Sequence, residues 1–287
     1  MAELTTLREA VSELVRDGQA LALEGFTHLI PHAAGHELIR QGRKDLTLIR
    51  MTPDVVYDQL IGMGCARKLV FSWGGNPGVG SLHRFRDAVE HGWPKPIEIE
   101  EYSHAAMASA YTAGAAGLPF AIFRGAESDL SKVNPMIRRV ECPFTGEELA
   151  AVPSHRPDVT VIHAQQADRR GNVLIWGIVG VQKEAVLAAK QSIVTVEEIV
   201  DEVVHDVAGR ANSVLLPHWV VTAVCEAPDG AHPSYAQGYT RRDNAFYQSW
   251  ETISRHRDTF ADWMRRHVVE TVDVGEYRAS LRPSTDA

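Results

Sequence analysis

The 287-residue chain reads as an α/β protein: a mostly parallel sheet with helices on both faces, followed by a C-terminal helical extension. Three observations predict this. Short β-branched apolar runs alternate with helix-length stretches, glycine-marked turns close several of the runs, and aromatic residues gather at helical spacing after residue 240. No repeat or low-complexity linker interrupts the chain. The organisation expected is therefore one α/β domain over 1–240 and a helical extension with a polar tail over 241–287.

The first element is an amphipathic helix. Thr6 and Glu9 have capping-box spacing, and Leu7, Val11, Leu14 and Val15 share a face until Asp17-Gly18 ends it. Ala20–Leu23 is a short apolar strand running into Glu24-Gly25-Phe26. Further buried strands are expected at Leu46–Ile49, Leu69–Trp73, Ile97–Tyr102, Pro119–Phe123, Val159–His163, Val173–Trp176 and Ser192–Val196. Helices are expected around 80–91, 104–116 and 181–190, and a loop over 130–155. Phe246, Trp250, Ile253, Phe260, Trp263 and Met264 mark the C-terminal helices.

Composition excludes several classes. A net charge of −8 with no basic run longer than two residues argues against a nucleic-acid surface. No apolar run is long enough to span a membrane, and no signal peptide is evident, so a cytoplasmic location is expected. Cys65, Cys142 and Cys225 form no CxxC, which supports neither a disulfide framework nor a thiolate zinc site. There is no Gly-x-Ser-x-Gly nucleophile elbow and no Gly-Lys-Ser/Thr phosphate loop.

Chemistry is expected beyond the carboxyl ends of the strands, where glycine lets a ligand approach the backbone. Glu24-Gly25-Phe26-Thr27-His28, Trp73-Gly74-Gly75-Asn76-Pro77-Gly78 and Arg170-Gly171-Asn172 are such ends, although each glycine could serve only its turn. Alternation along Ile97–Glu101 puts Glu98 and Glu100 on one face and Glu101 on the isoleucine face. A carboxylate there would be partly desolvated and suited to general-base work; the alternative is a solvated strand end with three ordinary surface charges. His28, His32 and His36 are spaced four apart, but Pro31 and Gly35 make the continuous helix of a metal ladder doubtful, and no metal is expected.

Four stretches resemble the alpha subunits of class I coenzyme A transferases. They are Ala22–Phe26; Glu100–Ser103 with Gly117–Phe120; Asn134-Pro135 with Cys142–Gly146; and Pro157–Val173 followed by Val196–Val200. Within that family, Glu24–Glu37 is most similar to the alpha subunit of the actinobacterial steroid-ring hydrolase. The resemblance implies a beta-subunit partner, in an αβ or α2β2 complex, and an acyl-CoA substrate. It implies no metal or redox cofactor, coenzyme A entering only as part of the substrate. For the ring hydrolase it implies a retro-Claisen cleavage of a cyclic β-oxo thioester with an essential glutamate at Glu101, or at Glu100 if the strand slips by one residue. For a transferase it implies instead a glutamate of the beta subunit that forms a glutamyl-CoA intermediate. Candidate donors to the developing oxyanion are the backbone at Gly25-Phe26 or Gly74-Gly75 with Ser103, Asn76 or Asn134. Thr27 and His28 share the first turn, and Arg124 could pair with a substrate carboxylate or stand on the surface. A coenzyme A transferase subunit of glutaconate or 3-oxoacid type, or a non-catalytic scaffold, are the alternative functions.

Overall fold

The computed structural model describes residues 2–77, 80–125, 128–204, 210 and 212–282. Gly78 of the second glycine turn and the end of the expected tail lie outside them. The first half runs β1 (Glu3–Leu4), α1 (Leu7–Leu14), β2 (Ala20–Glu24), α2 (His32–Arg40), β3 (Leu46–Arg50), α3 (Val55–Gly62), β4 (Ala66–Phe71), α4 (His83–His91), β5 (Glu98–Glu101) and α5 (His104–Ala115). Then follow β6 (Phe120–Phe123), α6 (Leu130–Val133), β7 (Arg138–Glu141), β8 (Glu148–Pro153), β9 (Val159–Asp168), β10 (Val173–Ile175), α7 (Gln182–Ala188), β11 (Gln191–Val200), β12 (Val214–Leu216) and β13 (Ala223–Glu226). The chain closes with α8 (Asn244–Arg255), α9 (Arg257–Met264) and α10 (Val274–Ser280).

The main sheet has the order β1-β13-β11-β9-β2-β3-β4-β5, with every pair along this path parallel. Strand β10 pairs antiparallel with β9 and β12. The expected α/β class is what the chain adopts. Its strands read as continuous apolar runs because both faces are covered. Leu21, Leu23, Leu48, Leu69 and Phe71 enter one core with α1–α4 and the C-terminal Phe246, Trp250, Phe260 and Trp263. Ala22, Ile49 and Val70 enter a second core with α5 and residues of β8 and α7. Asp58 of α3 joins three helices on the first side, accepting from the Arg84 and Phe85 N–H groups at 2.8 Å and from Trp250 Nε1 at 3.0 Å.

Two local expectations are corrected. Helix α2 is continuous through Gly35, with Pro31 at its N-cap position where no helical N–H is lost. Glycine is needed there because a Cβ would stand 2.2 Å from Val56 Cγ2 of α3. Residues 130–155 are not a loop: β7 and β8 form a hairpin that pairs with β6 in a separate three-stranded antiparallel sheet. Strand β6 therefore lies outside the main sheet. The polar run Arg138-Arg139-Val140-Glu141 has no apolar alternation, so its pairing with β8 was invisible locally.

Candidate active site

The chain leaves β2 toward β3, β4 and β5 on one side, while β9, β11 and β13 occupy the other. The gap between the carboxyl ends of β2 and β9 is thus a topological switch point, the place where open α/β sheets bind ligands. The turn after β2 closes tightly on itself: a Cβ at Gly25 would stand 2.5 Å from the Leu29 carbonyl oxygen. Thr27 and Leu29 are held at φ of 58° and 52°, a left-handed conformation that costs a β-branched residue about 1–3 kcal/mol. His28 anchors the turn. Burial pushes its pKa down to about 4, so the ring is neutral. In that form Nε2 accepts from the Gln237 N–H at 3.1 Å, while Nδ1 lies 3.4 Å from the Ile178 carbonyl. Gly177 leaves room for the ring, since a Cβ there would meet Gln237 Oε1 at 2.4 Å and His28 Cε1 at 3.2 Å. Thr27 is exposed, and Phe26 is partly buried, its ring packed against the second core. Their backbone N–H groups make no hydrogen bond among the described residues.

Beneath this turn lies a buried charge cluster. Glu24 Oε1 accepts from Tyr111 Oη at 2.8 Å and from the Met51 N–H at 3.1 Å. Arg50 donates to the Gly25 carbonyl at 2.9 Å and pairs with Asp54 at 3.3 Å. Burial pushes Glu24 up to about 7 against the opposing pull of Arg50, and pushes Asp54 up as well. Sequence reading placed Glu24 only at a strand end and passed over Arg50, Asp54 and Tyr111. The signal available was a charged residue closing each of two apolar runs, Glu24 after Leu23 and Arg50 after Ile49.

At the end of β4, the Gly75 N–H donates to the Pro53 carbonyl at 3.1 Å, whereas Gly74 is half-buried. Asn76 is buried, its Nδ2 donating to the Tyr247 carbonyl at 2.7 Å. At the end of β5, Glu98 and Glu100 share one face and both pair with Lys68 at 2.7 Å. Glu101 is exposed, so the desolvation expected of it is not supplied by this chain's own atoms. It borders a cleft of about 410 Å³ lined also by Leu130, Val133 and Asn134. Asn134 spans that cleft, donating to the Glu101 carbonyl and accepting from the Met136 N–H, both at 2.8 Å. Ser103 caps α5 by accepting from the Ala106 N–H at 3.1 Å. Arg124 stands on the three-stranded sheet, exposed and paired with Glu147 at 2.8 Å.

The parallel order places the Gly25 turn, the Gly74 turn and Glu101 along one rim, with Glu101 beside the Gly74 loop and farthest from Gly25. Two strands separate Glu101 from β2, about 14 Å of sheet. His28, His32 and His36 are all buried in packing positions, and no group of three or more His, Cys, Asp or Glu is arranged for a metal ion among the described residues. No helix there is long and apolar enough to cross a membrane.

The family model described as Coenzyme A transferase matches residues 4–227. The chain belongs to the coenzyme A transferase family. It is 66% identical over 282 residues to the A-type subunit of the 3-oxoadipate CoA-transferase of Pseudomonas knackmussii, covering 98% of this chain and 99% of that one. It is 33% identical to the A-type subunit of the glutaconate CoA-transferase of Acidaminococcus fermentans, covering 98% and 92% of the two chains. The crystal structure of that glutaconate enzyme superposes with a TM-score of 0.88, covering 98% of this chain and 93% of the other. A cholesterol ring-cleaving hydrolase subunit of Rhodococcus jostii is only 26% identical, over 96% of this chain and 95% of its own. The ring-hydrolase expectation is thereby overturned, together with the hydrolase, lyase and cholesterol-catabolism readings attached to it. Its supporting stretch, Glu24–Glu37, is the switch-point turn and the first turns of α2, where packing with Val56 and the buried histidines dictates the residues.

Proposed function

We propose that this chain is the alpha half of a coenzyme A transferase that passes coenzyme A from an acyl-CoA to a 3-oxo dicarboxylic acid of the 3-oxoadipate type. The observation that carries the reading is 66% identity to the matching half of a 3-oxoadipate CoA-transferase across almost the whole of both chains. In this reading a separate beta subunit supplies the glutamate. Exchange of its carboxylate with the donor thioester gives glutamyl-CoA and frees the donor acid. The acceptor carboxylate then takes the coenzyme A by the reverse exchange and restores the glutamate. No proton need be abstracted, because every nucleophile in the cycle is already an anion. What each exchange requires is donors for the tetrahedral oxyanion.

Those donors come from the switch-point rim. The unbonded Phe26 and Thr27 N–H groups, with Gly74 in the next-but-one loop of the same rim, offer backbone dipoles for this role. The strained turn is the means of presenting them. Asn76, Ser103 and Asn134 support the rim through their own hydrogen bonds, and His28 fixes the turn from below. Glu101, exposed at the mouth of the neighbouring cleft, takes no covalent step and acts on the approach of the anionic substrate. No metal or redox group enters this cycle.

Co-expression with the beta subunit tests the reading. The complex should transfer coenzyme A from succinyl-CoA to 3-oxoadipate, and borohydride in the presence of acyl-CoA should modify a glutamate of the beta subunit. Acyl-CoA hydrolysis without transfer, or a trapped residue on this chain, would sink it.

A further inference from the structure

The charge beneath the Gly25 turn does not balance. Arg50, Glu24 and Asp54 are buried together, with 0%, 2% and 1% of their surfaces exposed. Two carboxylates against one guanidinium leave an excess negative charge, which a low-dielectric site relieves by keeping a proton on one carboxyl. Glu24 is the carboxyl joined to the turn. It closes β2 immediately before Gly25 and accepts from the Met51 N–H and the Tyr111 hydroxyl, while Arg50 donates to the Gly25 carbonyl. Gly25 is thus set between two buried groups of opposite charge, the carboxyl of the residue before it and the guanidinium that holds its carbonyl. Gly25 is also the point where the turn meets Leu29, so its placement fixes the strained residues between.

The groups facing Glu24 come from three directions. Arg50 and Asp54 lie at and after the end of β3, the Tyr57 hydroxyl comes from α3, and Tyr111 from α5. Arg242 adds a positive charge on the far side of Asp54. Both donors to Glu24, the Met51 N–H and the Tyr111 hydroxyl, bind its ionised form more strongly than its neutral form.

We propose that Glu24 is a positioning residue of the transferase site, whose ionised form holds the Gly25–Leu29 turn in its donor-presenting conformation and whose protonation releases it. Activity on the acid side of neutrality is then governed by a group on this chain, although the reacting glutamate belongs to the beta half. The inference rests on the reading that the Gly25–Thr27 turn faces the thioester. Burial pushes the Glu24 carboxyl up to about 7.

The test uses the complex with the beta subunit, following kcat/KM from about pH 5.5 to 8.5, which reports ionisations of the free enzyme. The native complex should lose activity below neutrality, approaching tenfold per pH unit. Glu24→Gln should flatten that limb and lower kcat about tenfold at pH 8, with the KM for acyl-CoA changed less than about threefold. Tyr111→Phe, which removes one donor from the charged form, should move the limb to higher pH. A readout free of substrate accompanies these: amide-exchange protection of residues 25–29, corrected for intrinsic rate, should fall below neutrality in the native chain and stay level in Glu24→Gln. An acid limb that survives unchanged in both variants, or protection that ignores Glu24→Gln, overturns the proposal. Absence of transfer at every pH would sink the proposed function instead, leaving the exchange data to decide the positioning role.

Discussion

Lowering the pH from 7.5 to 5.5 should cost this fold about 4 kcal/mol, and the figure follows from its buried titratable groups. Burial pushes His28, His155 and His232 down to about 4, His36 down to about 3, and His32 further in the same direction. Each is neutral in the fold and binds a proton once unfolded, so its contribution is fully present above pH 6.5 and is lost as the pH falls below that. Glu24 and Asp58 oppose this. Burial raises them to about 7 and about 6, so they take up protons in the fold before the unfolded chain does and add stability as the pH falls; Asp54, raised as well, acts with them, and His267, lowered, acts with the other histidines. At pH 5.5 the five histidines account for about 4.5 extra protons on the unfolded chain and the two carboxyls for about 1.6 extra on the folded one. The difference of about 3 protons gives a slope near 4 kcal/mol per pH unit there, flattening to almost nothing by pH 7.5. Set against a total stability of about 5–15 kcal/mol, the change is large. Urea unfolding of the purified chain at the two pH values, followed by tryptophan fluorescence, measures it. Equal stabilities, or a more stable chain at pH 5.5, would refute the reasoning. A control variant, His36→Gln, should reduce the slope by about one proton.

Other substitutions separate packing from chemistry. Gly35→Ala places a methyl 2.2 Å from Val56 Cγ2 and should destabilise by about 1–3 kcal/mol despite alanine's helix propensity. Adding Val56→Ala should recover part of that loss in a double-mutant cycle, and additive effects would show that the helices simply move apart. Gly25→Ala meets the backbone carbonyl of Leu29 and should lower kcat/KM of the complex at least tenfold; unchanged kinetics would remove the turn from the site. Glu101→Gln should alter the KM for acyl-CoA by about two- to fivefold and leave kcat within about twofold. A kcat loss of about a hundredfold or more would give Glu101 a chemical role.

Much of the fold was legible because its signals are local. The Thr6/Glu9 capping box forms with both reciprocal bonds, and the strands at Leu46, Val159 and Gln191 occupy their apolar runs. Helix α2 was doubted because Pro31 and Gly35 are helix breakers in isolation, whereas the close crossing of α3 makes glycine the residue that fits. The hairpin β7–β8 was missed because Arg138–Glu141 gains its strand character only from its partner. The site divides in the same way. The glycine turns at Gly25 and Gly74 could be placed at strand ends from spacing alone, but Glu24, Arg50 and Tyr111 come from β2, β3 and α5 and declare themselves only once assembled.

By itself the sequence determined the α/β class, the order of most elements and the coenzyme A transferase family, because periodicity, capping and motif order are written over a few neighbouring residues. Tertiary structure decided which strand ends share a rim, that two strands lie between Glu101 and the Gly25 turn, and that the buried Glu24 beside that turn is bonded to Met51 and Tyr111. Those properties are set by desolvation and by hydrogen bonds between residues 25 to 87 positions apart, and such terms exist only when the sheet has brought its partners together.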